Sequence, residues 1–463
     1  MLSRAHPTAL SLLIAFAPAL SAQPLDIGTR LELFVDDYLI EELAGDARLK
    51  LHKPIAREVV LVTDRPWEGN TCAYYTLFRD GDRFRMYYRG SHFDEATGKS
   101  AHREVVCYAE SRDGIRWERP ELGLFEFEGS RRNNIVWDGV GAHNFTPFRD
   151  ENPACRPEER YKALGSGEGP SRRGLFAFAS PDGIRWRLLS EEPVITEGAF
   201  DSQNLAFWDA VRSRYVEYHR GFRDKVRDIM TSTSADFLNW SKPVWLDYPG
   251  APREHLYTNA ILPYHRAPHL FLGFPTRFFP DRGQQVEPIF MTSRDGLSFR
   301  RWGEALIPVT APEDRDGNRS NYMAWGILEL PGAPNELSVY ATEAYYTGPD
   351  SRLRRFTYRV DGFVSVRAEQ GGMLQTKPLR FSGNRLVINV RTESGGSLRV
   401  GLEDEQGRPI EGLGLEDCPP IRTDSIAHTV AWRRGASLAH LEGRPVRLRF
   451  ELRRADLFSV RFN

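Results

Sequence analysis

Four stretches of the chain repeat one another closely: Ser111-Arg-Asp-Gly-Ile-Arg-Trp117, Ser180-Pro-Asp-Gly-Ile-Arg-Trp186, Ser232-Thr-Ser-Ala-Asp-Phe-Leu-Asn-Trp240 and Ser293-Arg-Asp-Gly-Leu-Ser-Phe299. They recur at intervals of roughly 50 to 70 residues, slightly more than one four-stranded propeller blade requires. Each copy follows a short apolar run, such as Val105 to Glu110 or Leu175 to Ala179. Its Asp-Gly pair suits a tight hairpin turn, and the aromatic that ends the motif opens the next strand. The repeat therefore marks the turn between the third and fourth strands of a blade.

Two β-rich runs precede each copy. They are Thr71–Phe78 and Phe84–Arg89, Asn144–Phe148 and Arg160–Leu164, Gln203–Trp208 and Arg214–His219, and Tyr257–Leu262 and His269–Phe274. A fifth set, Tyr322–Leu328, Glu336–Ala341 and Leu353–Arg359, keeps the strand order without the aromatic-ended motif. Five aligned sets give five blades. After Gly371-Gly372 short alternating strands resume, as in Val446, Leu448, Phe450 and Leu452 set against Arg447, Arg449 and Glu451. Such alternation gives one buried and one wet face, as a β-sandwich needs. The expected fold is all-β: a five-bladed β-propeller over residues 23–372, then a β-sandwich over 373–463. The strand-like segment Leu31–Ile40 is placed to close the ring by joining the last blade.

Residues 1–22 carry Arg4, an apolar stretch from Ala9 to Leu20 and a small pair, Ser21-Ala22. That is the order of a secretory signal peptide, and the apolar part is too short for a membrane anchor. A secreted or periplasmic protein is expected, with no membrane partner. The 463 residues carry a formal net charge of −1 with both signs intermixed, which argues against a nucleic-acid partner. The four cysteines impose no disulfide pattern, and Cys72 and Cys107 read as buried thiols. The scattered histidines indicate no metal site; a structural calcium in the channel is left open.

In a propeller the innermost strands surround a channel, so polar residues at their starts converge on one mouth. Those starts carry Trp67, Glu68 and Asn70; His143 and Asn144; Asp201, Gln203 and Asn204; Glu254, His255 and Asn259; and Arg319 and Asn321. The ends of the second strands add Arg89, His219, Arg220, Arg277 and Glu343. Carboxylates, amides, arginines and an aromatic suit a sugar, whose hydroxyls need fixed partners and whose cleavage needs a carboxylic acid and a carboxylate. If the arginines face the ligand, an acidic sugar fits. The aspartates of the repeats, by contrast, read as turn formers and their tryptophans as packing between blades.

Five blades, the Ser-x-Asp-Gly-x-x-Trp turn, an exported chain and an appended sandwich resemble the five-bladed propeller glycoside hydrolases, the invertase, inulinase and arabinanase group. The resemblance covers nearly all of the mature chain in architecture. It implies a glycoside hydrolase acting on a plant, algal or microbial glycan. It also places Glu68 where the first blade supplies a base or nucleophile and Asp201 where the third supplies the acid. Glu254 and Glu343 are further catalytic candidates. Trp67, Asn70, Arg89, His143, Asn144, Gln203, Asn204, His255, Asn259, Arg277, Arg319 and Asn321 are the substrate-binding candidates. The second blade departs from the group, carrying His143 and Asn144 where an aspartate is expected, and the invertase signatures are absent. Two other readings fit the pattern: a carbohydrate-binding propeller without catalysis, and a glycoside phosphorylase on the same fold.

Overall fold

The computed structural model describes residues 23–309 and 321–463; the expected leader at 1–22 and Arg319 lie outside them. The described residues form strands and four single-turn 3-10 helices. None of their helices is long and apolar enough to cross a membrane.

Five antiparallel sheets form the blades, and the first four run outward from the channel in chain order. Blade 1 holds Ala73–Asp80, Arg83–Gly90, Val105–Ser111 and Ile135–Trp137. Blade 2 holds Thr146–Arg149, Tyr161–Glu168, Arg173–Ser180 and Arg187–Leu188, and blade 3 holds Leu205–Asp209, Arg214–Arg223, Val226–Ser234 and Val244–Trp245. Blade 4 holds Leu262–Tyr264, Ala267–Gly273, Met291–Ser293 and Arg300–Arg301, with the hairpin Thr276–Phe279 and Gln285–Pro288 extending from it. In blade 5 the inner segment bridges Met323 to Ala341 and Leu328 to Ser338, and Glu336–Glu343 pairs with Arg352–Arg359.

The outer strand of blade 5 comes from the other end of the propeller chain. Ile55–Val62 pairs antiparallel with Arg352–Arg359 and closes the ring. This corrects the expectation for Leu31–Ile40. The segments before residue 52 pair elsewhere: Leu25–Gly28 with Leu379–Phe381, Glu32–Leu33 with Arg447–Phe462, Ile40–Gly45 with Gly372–Thr376, and Arg48–Leu51 with Val364–Ala368. A boundary at 372 therefore does not follow the sheet pairing, because residues 25–51 and 364–368 belong with the C-terminal strands. There Leu386–Glu403 and Arg447–Phe462 pair along their lengths, with register shifts at Asn389/Val390 and Thr392/Ser397. One eight-stranded sheet results, bent at its bulges. Leu448, Phe450, Leu452, Leu398 and Val400 lie in its apolar core, which is separate from the cores between blades.

The repeated motif makes the same turn each time. In blade 1 the Asp113 carboxylate accepts from the backbone N–H groups of Ile115 and Arg116 at 2.9 and 2.8 Å, and the Ser111 hydroxyl accepts from Gly114 N–H at 2.9 Å. Asp182, Asp236 and Asp295 repeat the pattern. The glycines take φ of 71°, 76° and 79°, where a side chain is strained. In blade 3 the turn runs from Ser234 rather than Ser232, and Phe237 stands at the glycine position with φ 69°. Its fully buried ring packs on Phe148, Tyr215 and Trp240, burial that offsets the strained backbone.

At three turns the glycine carbonyl accepts a hydroxyl from the neighbouring blade: Tyr340 to Gly114 at 2.6 Å, Tyr87 to Gly183 at 2.8 Å and Tyr218 to Gly296 at 2.9 Å. These tyrosines are buried. The Gly114 and Gly183 carbonyls also accept the indole N–H of Trp117 and Trp186, at 3.2 and 3.1 Å, whereas Gly296 depends on Tyr218 alone for a side-chain donor. Tyr218→Phe should therefore lower the unfolding free energy by about 1–3 kcal/mol and Tyr87→Phe by about 0.5–1.5 kcal/mol in denaturant titration with the blades intact. An unchanged midpoint in both would show that the contacts carry no stability.

The two parts of the chain are tied by Glu32, which is fully buried. It contacts Arg294 of blade 4 at 2.9 Å and His269 at 3.3 Å, and Arg294 also holds Asp36 at 2.7 Å. Burial raises the Glu32 pKa, but His269 and Arg294 outweigh it and bring the value down to about 2. A depressed carboxyl contributes stability above its ordinary value of 4.5 and loses it as pH falls towards 2. Glu32→Gln should therefore flatten the acid side of the stability curve between pH 4.5 and 2. An identical slope in wild type and variant would remove Glu32 as the linked group.

Candidate active site

The channel mouth at the starts of the inner strands gathers one continuous ionic chain. His143 stands in the 3-10 turn Ala142–Asn144 that leads into blade 2. Its Nε2 lies 2.9 Å from Asp201 Oδ1, and its Nδ1 lies 2.7 Å from Glu104 Oε2. Arg89, at the end of the second strand of blade 1, ion-pairs Glu104 at 3.7 Å and donates to Thr71 O and the Tyr345 hydroxyl at 2.8 and 2.9 Å. From blade 3, Arg220 brings a terminal nitrogen to 3.8 Å from Asp201 Oδ2. The side chain of Asp201 is 55% exposed and that of His143 30% exposed, so both open to the mouth.

The electrostatics of this chain are mutually reinforcing. The hydrogen bond from His143 is the largest influence on Asp201; with Arg220 and Arg89 it outweighs burial and holds the carboxylate well below its ordinary range. Burial opposes charge on His143, yet hydrogen bonds to Asp201 and Glu104 raise its pKa above the ordinary value. Burial would raise Glu104, but His143 and Arg89 lower it. All three shifts favour the charged forms, an imidazolium between two carboxylates.

Asp201 is held by amides that do not touch it. It stands at the apex of a tight turn in which Ser202 N–H donates to Phe200 O at 2.8 Å. Asn144 Nδ2 donates to both Phe200 O and Ser202 O, the latter at 2.6 Å, and Asn204 Nδ2 donates to the same two carbonyls at 3.0 and 2.9 Å. Asn144 Oδ1 in turn accepts from Ser166 N–H at 2.7 Å. Ser202 Oγ donates to Tyr257 O at 2.6 Å. His219 and Arg220 hold the preceding residues through Glu197 O and Ala199 O.

Tyrosines wall the mouth. Tyr74, Tyr322 and Tyr345 cluster with Phe278 and Tyr257. Arg89 lies 4.9 Å over the Tyr74 ring and Arg220 4.5 Å over the Tyr257 ring. Beside them a cavity of about 430 Å³ is lined by His143, Ser166, Gly167, Glu168, Arg173 and Asp201. A larger cavity, about 610 Å³, opens at the far end of the channel. Its walls are mainly apolar, including Phe78, Phe148, Trp208 and Trp325, and its His265 and Glu329 already pair at 3.0 Å. The carboxylates and imidazole with shifted ionisation gather at the first mouth.

Of the residues expected at the site, Asp201, His143 and Arg89 come together. Glu68 does not join them. It is buried, with Tyr88 donating to Oε1 at 2.5 Å and Arg119 and Arg65 N–H to Oε2 at 2.7 and 3.1 Å. Burial raises its pKa, but neither oxygen is left to act on a ligand. Trp67 donates to Asn134 and packs on Phe127, away from the channel. Asn70 pins Phe93 and Gly348. Glu343 pairs Arg354 at 2.6 Å within blade 5, and Glu254 and Arg277 pair at 3.0 Å in a rim cluster with Glu287 and Arg301. Gln203, Asn259 and Asn321 are buried and bond to main-chain carbonyls of Tyr75, Tyr218 and Pro308. Asn144 and Asn204 position Asp201 instead of facing a ligand. His255 accepts from Arg227 N–H and stacks edge-on to Phe278.

Glu104, Arg227, Tyr74, Tyr257, Tyr322 and Tyr345 were not expected. Third strands start at the same mouth as first strands, and Glu104 and Arg227 stand at two such starts, so that signal was present. Tyr257 reaches the mouth because the first strand of blade 4 begins at Leu262, five residues later than its apolar pattern suggests.

No protein-family model matches the chain. A stretch of 158 residues is 28% identical to the uncharacterized protein Rv1502 of Mycobacterium tuberculosis (strain ATCC 25618 / H37Rv), covering 33% of this chain and 44% of that protein. The chain thus spans less than half the length of the curated relative it matches. Among solved structures it is similar to an endo-arabinase from Bacteroides thetaiotaomicron (9% identity, 66% of this chain and 99% of that one, TM-score 0.44). Others are an N-acetylgalactosamine deacetylase from F. plautii (11%, 68% and 96%, 0.47) and a β-1,2-mannobiose phosphorylase from Listeria innocua (10%, 66% and 96%, 0.44).

Removing the clamp tests the positioning of Asp201. Asn144→Ala leaves the buried Ser166 N–H without its acceptor and takes one of two amide donors from the Phe200 and Ser202 carbonyls, which Asn204 still holds, a loss of about 1–3 kcal/mol. We expect a lower melting temperature and a His143 titration moved towards its ordinary value, because Asp201 drifts. A destabilised variant with an unmoved His143 would make Asn144 structural only.

Proposed function

We propose that the chain is an exported glycoside hydrolase whose reacting groups are Asp201 and His143. The observation that supports this reading is the Glu104–His143–Asp201 chain at a tyrosine-walled channel mouth. Glycosidic cleavage needs a proton donor at the leaving oxygen and an ionised carboxylate acting on the anomeric carbon, directly or through water. Asp201, held ionised, suits the carboxylate role and not the acid role that its third-blade position suggested. His143 is the member of the chain that carries a proton, and Glu104 keeps it charged.

A second reading is favoured by one observation. With Glu68 locked inside blade 1, the carboxylate paired with Asp201 across His143 is Glu104, and both are engaged by the same imidazole. A propeller that binds glycan without cleaving it would look the same.

The deciding experiment is a product screen of the wild type against neutral and acidic oligosaccharides and aryl glycosides, beside Asp201→Asn and His143→Gln. Cleavage by the wild type, reduced about 10²- to 10⁴-fold in either variant at unchanged melting temperature, supports the hydrolase. Glycan binding with no product from any substrate would favour the binding propeller. The pH profile carries a sign. Asp201 ionises below its ordinary 3.8 and His143 keeps its proton above 6.5, so the wild-type rate should hold through mildly acidic pH and fall on the alkaline side. A rate that rises with pH through 6–8 would exclude His143 as donor.

A further inference from the structure

We propose that Arg220 and Arg227 form an anion subsite beside Asp201, which takes the carboxylate or sulfate of an acidic sugar. The inference rests on the reading of this mouth as a glycan site and names its substrate class.

Several buried and half-buried arginines elsewhere are matched by carboxylates. Arg119 has Glu68, Arg294 has Glu32 and Asp36, and Arg277 shares Glu254 and Glu287. The two arginines at the mouth are different. Arg220 is 4% exposed, its Nη1 is buried with no partner among the described residues, and Asp201 at 3.8 Å is the carboxylate beside it. Arg227, at the start of the third strand of blade 3, has no ion pair among the described residues, and its Nε is buried without a partner. Its guanidinium lies among rings, 4.2 Å from the centroid of Phe278, 5.3 Å from Phe222 and 5.5 Å from Tyr257.

Two cations placed together in such surroundings repel. Burial and the nearby Arg220 both press the Arg227 pKa down, which is the signature of a charge lacking its counterion. The wider balance points the same way. Among the described residues, Arg89, Arg220 and Arg227 face two carboxylates, Glu104 and Asp201. One further negative group reduces the excess. A guanidinium pair suits a planar carboxylate or a sulfate, through forked hydrogen bonds. Phe222, half exposed beside Arg227, supplies apolar surface for the ring that carries the anion.

The test is calorimetric titration of the full chain at low ionic strength with four probes: sodium glucuronate, glucose 6-sulfate, glucose and inorganic phosphate. Glucuronate or glucose 6-sulfate should bind about tenfold or more tightly than glucose. That preference should vanish in Arg227→Gln, weaken in Arg220→Lys, and persist in Arg132→Gln at an exposed ion pair remote from the mouth. Melting curves of each variant confirm that it is folded. Three results would each overturn the proposal: no preference over glucose, a preference unchanged in Arg227→Gln, or phosphate binding more tightly than both acidic sugars, which favours phosphorolysis. Anion preference without cleavage of any glycoside leaves this subsite standing and removes the hydrolase. Cleavage of neutral glycosides with no anion preference does the reverse.

Discussion

A tyrosine hydroxyl reaching from one blade to the turn carbonyl of the next is the contact on which the geometry of the ring depends. The turn exists because Asp and Ser side chains satisfy backbone N–H groups that the hairpin leaves free. It presents one carbonyl outward, and a buried tyrosine accepts the invitation to pair with it. Apolar packing between blades is larger in energy, since each buried aromatic removes 150 Å² or more from water. Packing alone tolerates sliding, however, whereas a hydrogen bond to one carbonyl sets the rotation at the three blade interfaces where it forms. Ring closure by Ile55–Val62 then makes those rotations add up.

The ring brings Glu104 of blade 1, His143 of blade 2 and Asp201 of blade 3 within hydrogen-bond reach, with the packing of Phe148 on Phe237 joining blades 2 and 3 where no tyrosine bond does. The cost of gathering charges there is real, because desolvation opposes ionisation at Glu104 and His143. The paired geometry outweighs it, and the asparagine clamp supplies the precision. Two amides grip the same two carbonyls on either side of Asp201, so the carboxylate is placed by its backbone and remains open to the channel.

Repetition was legible in the sequence because the Ser-x-Asp-Gly-x-x-Trp turn is local: its hydrogen bonds span two or three residues. Asp201, His143 and Arg89 were legible because strand ends of a propeller must meet at one mouth. What was not legible depends on partners far along the chain. Glu68 reads as a mouth carboxylate until Arg119, fifty-one residues on, and Tyr88 claim both of its oxygens. Asn144 stands at a strand start, but its backbone acceptors, Phe200 O and Ser202 O, lie across a blade boundary and cannot be seen in a string. Leu31–Ile40 and Ile55–Val62 are both strand-like, and only the pairing of the former region with the C-terminal sheet separates them.

His143 held between two carboxylates is the centre of the site, and an NMR titration of its ring reads that pairing directly. Its resonances are assigned by their loss in His143→Gln. The account predicts a midpoint above the ordinary 6.5 in the wild type and a downward move when Asp201→Asn removes one partner. A midpoint at or below 6.5, or one indifferent to Asp201, would contradict it.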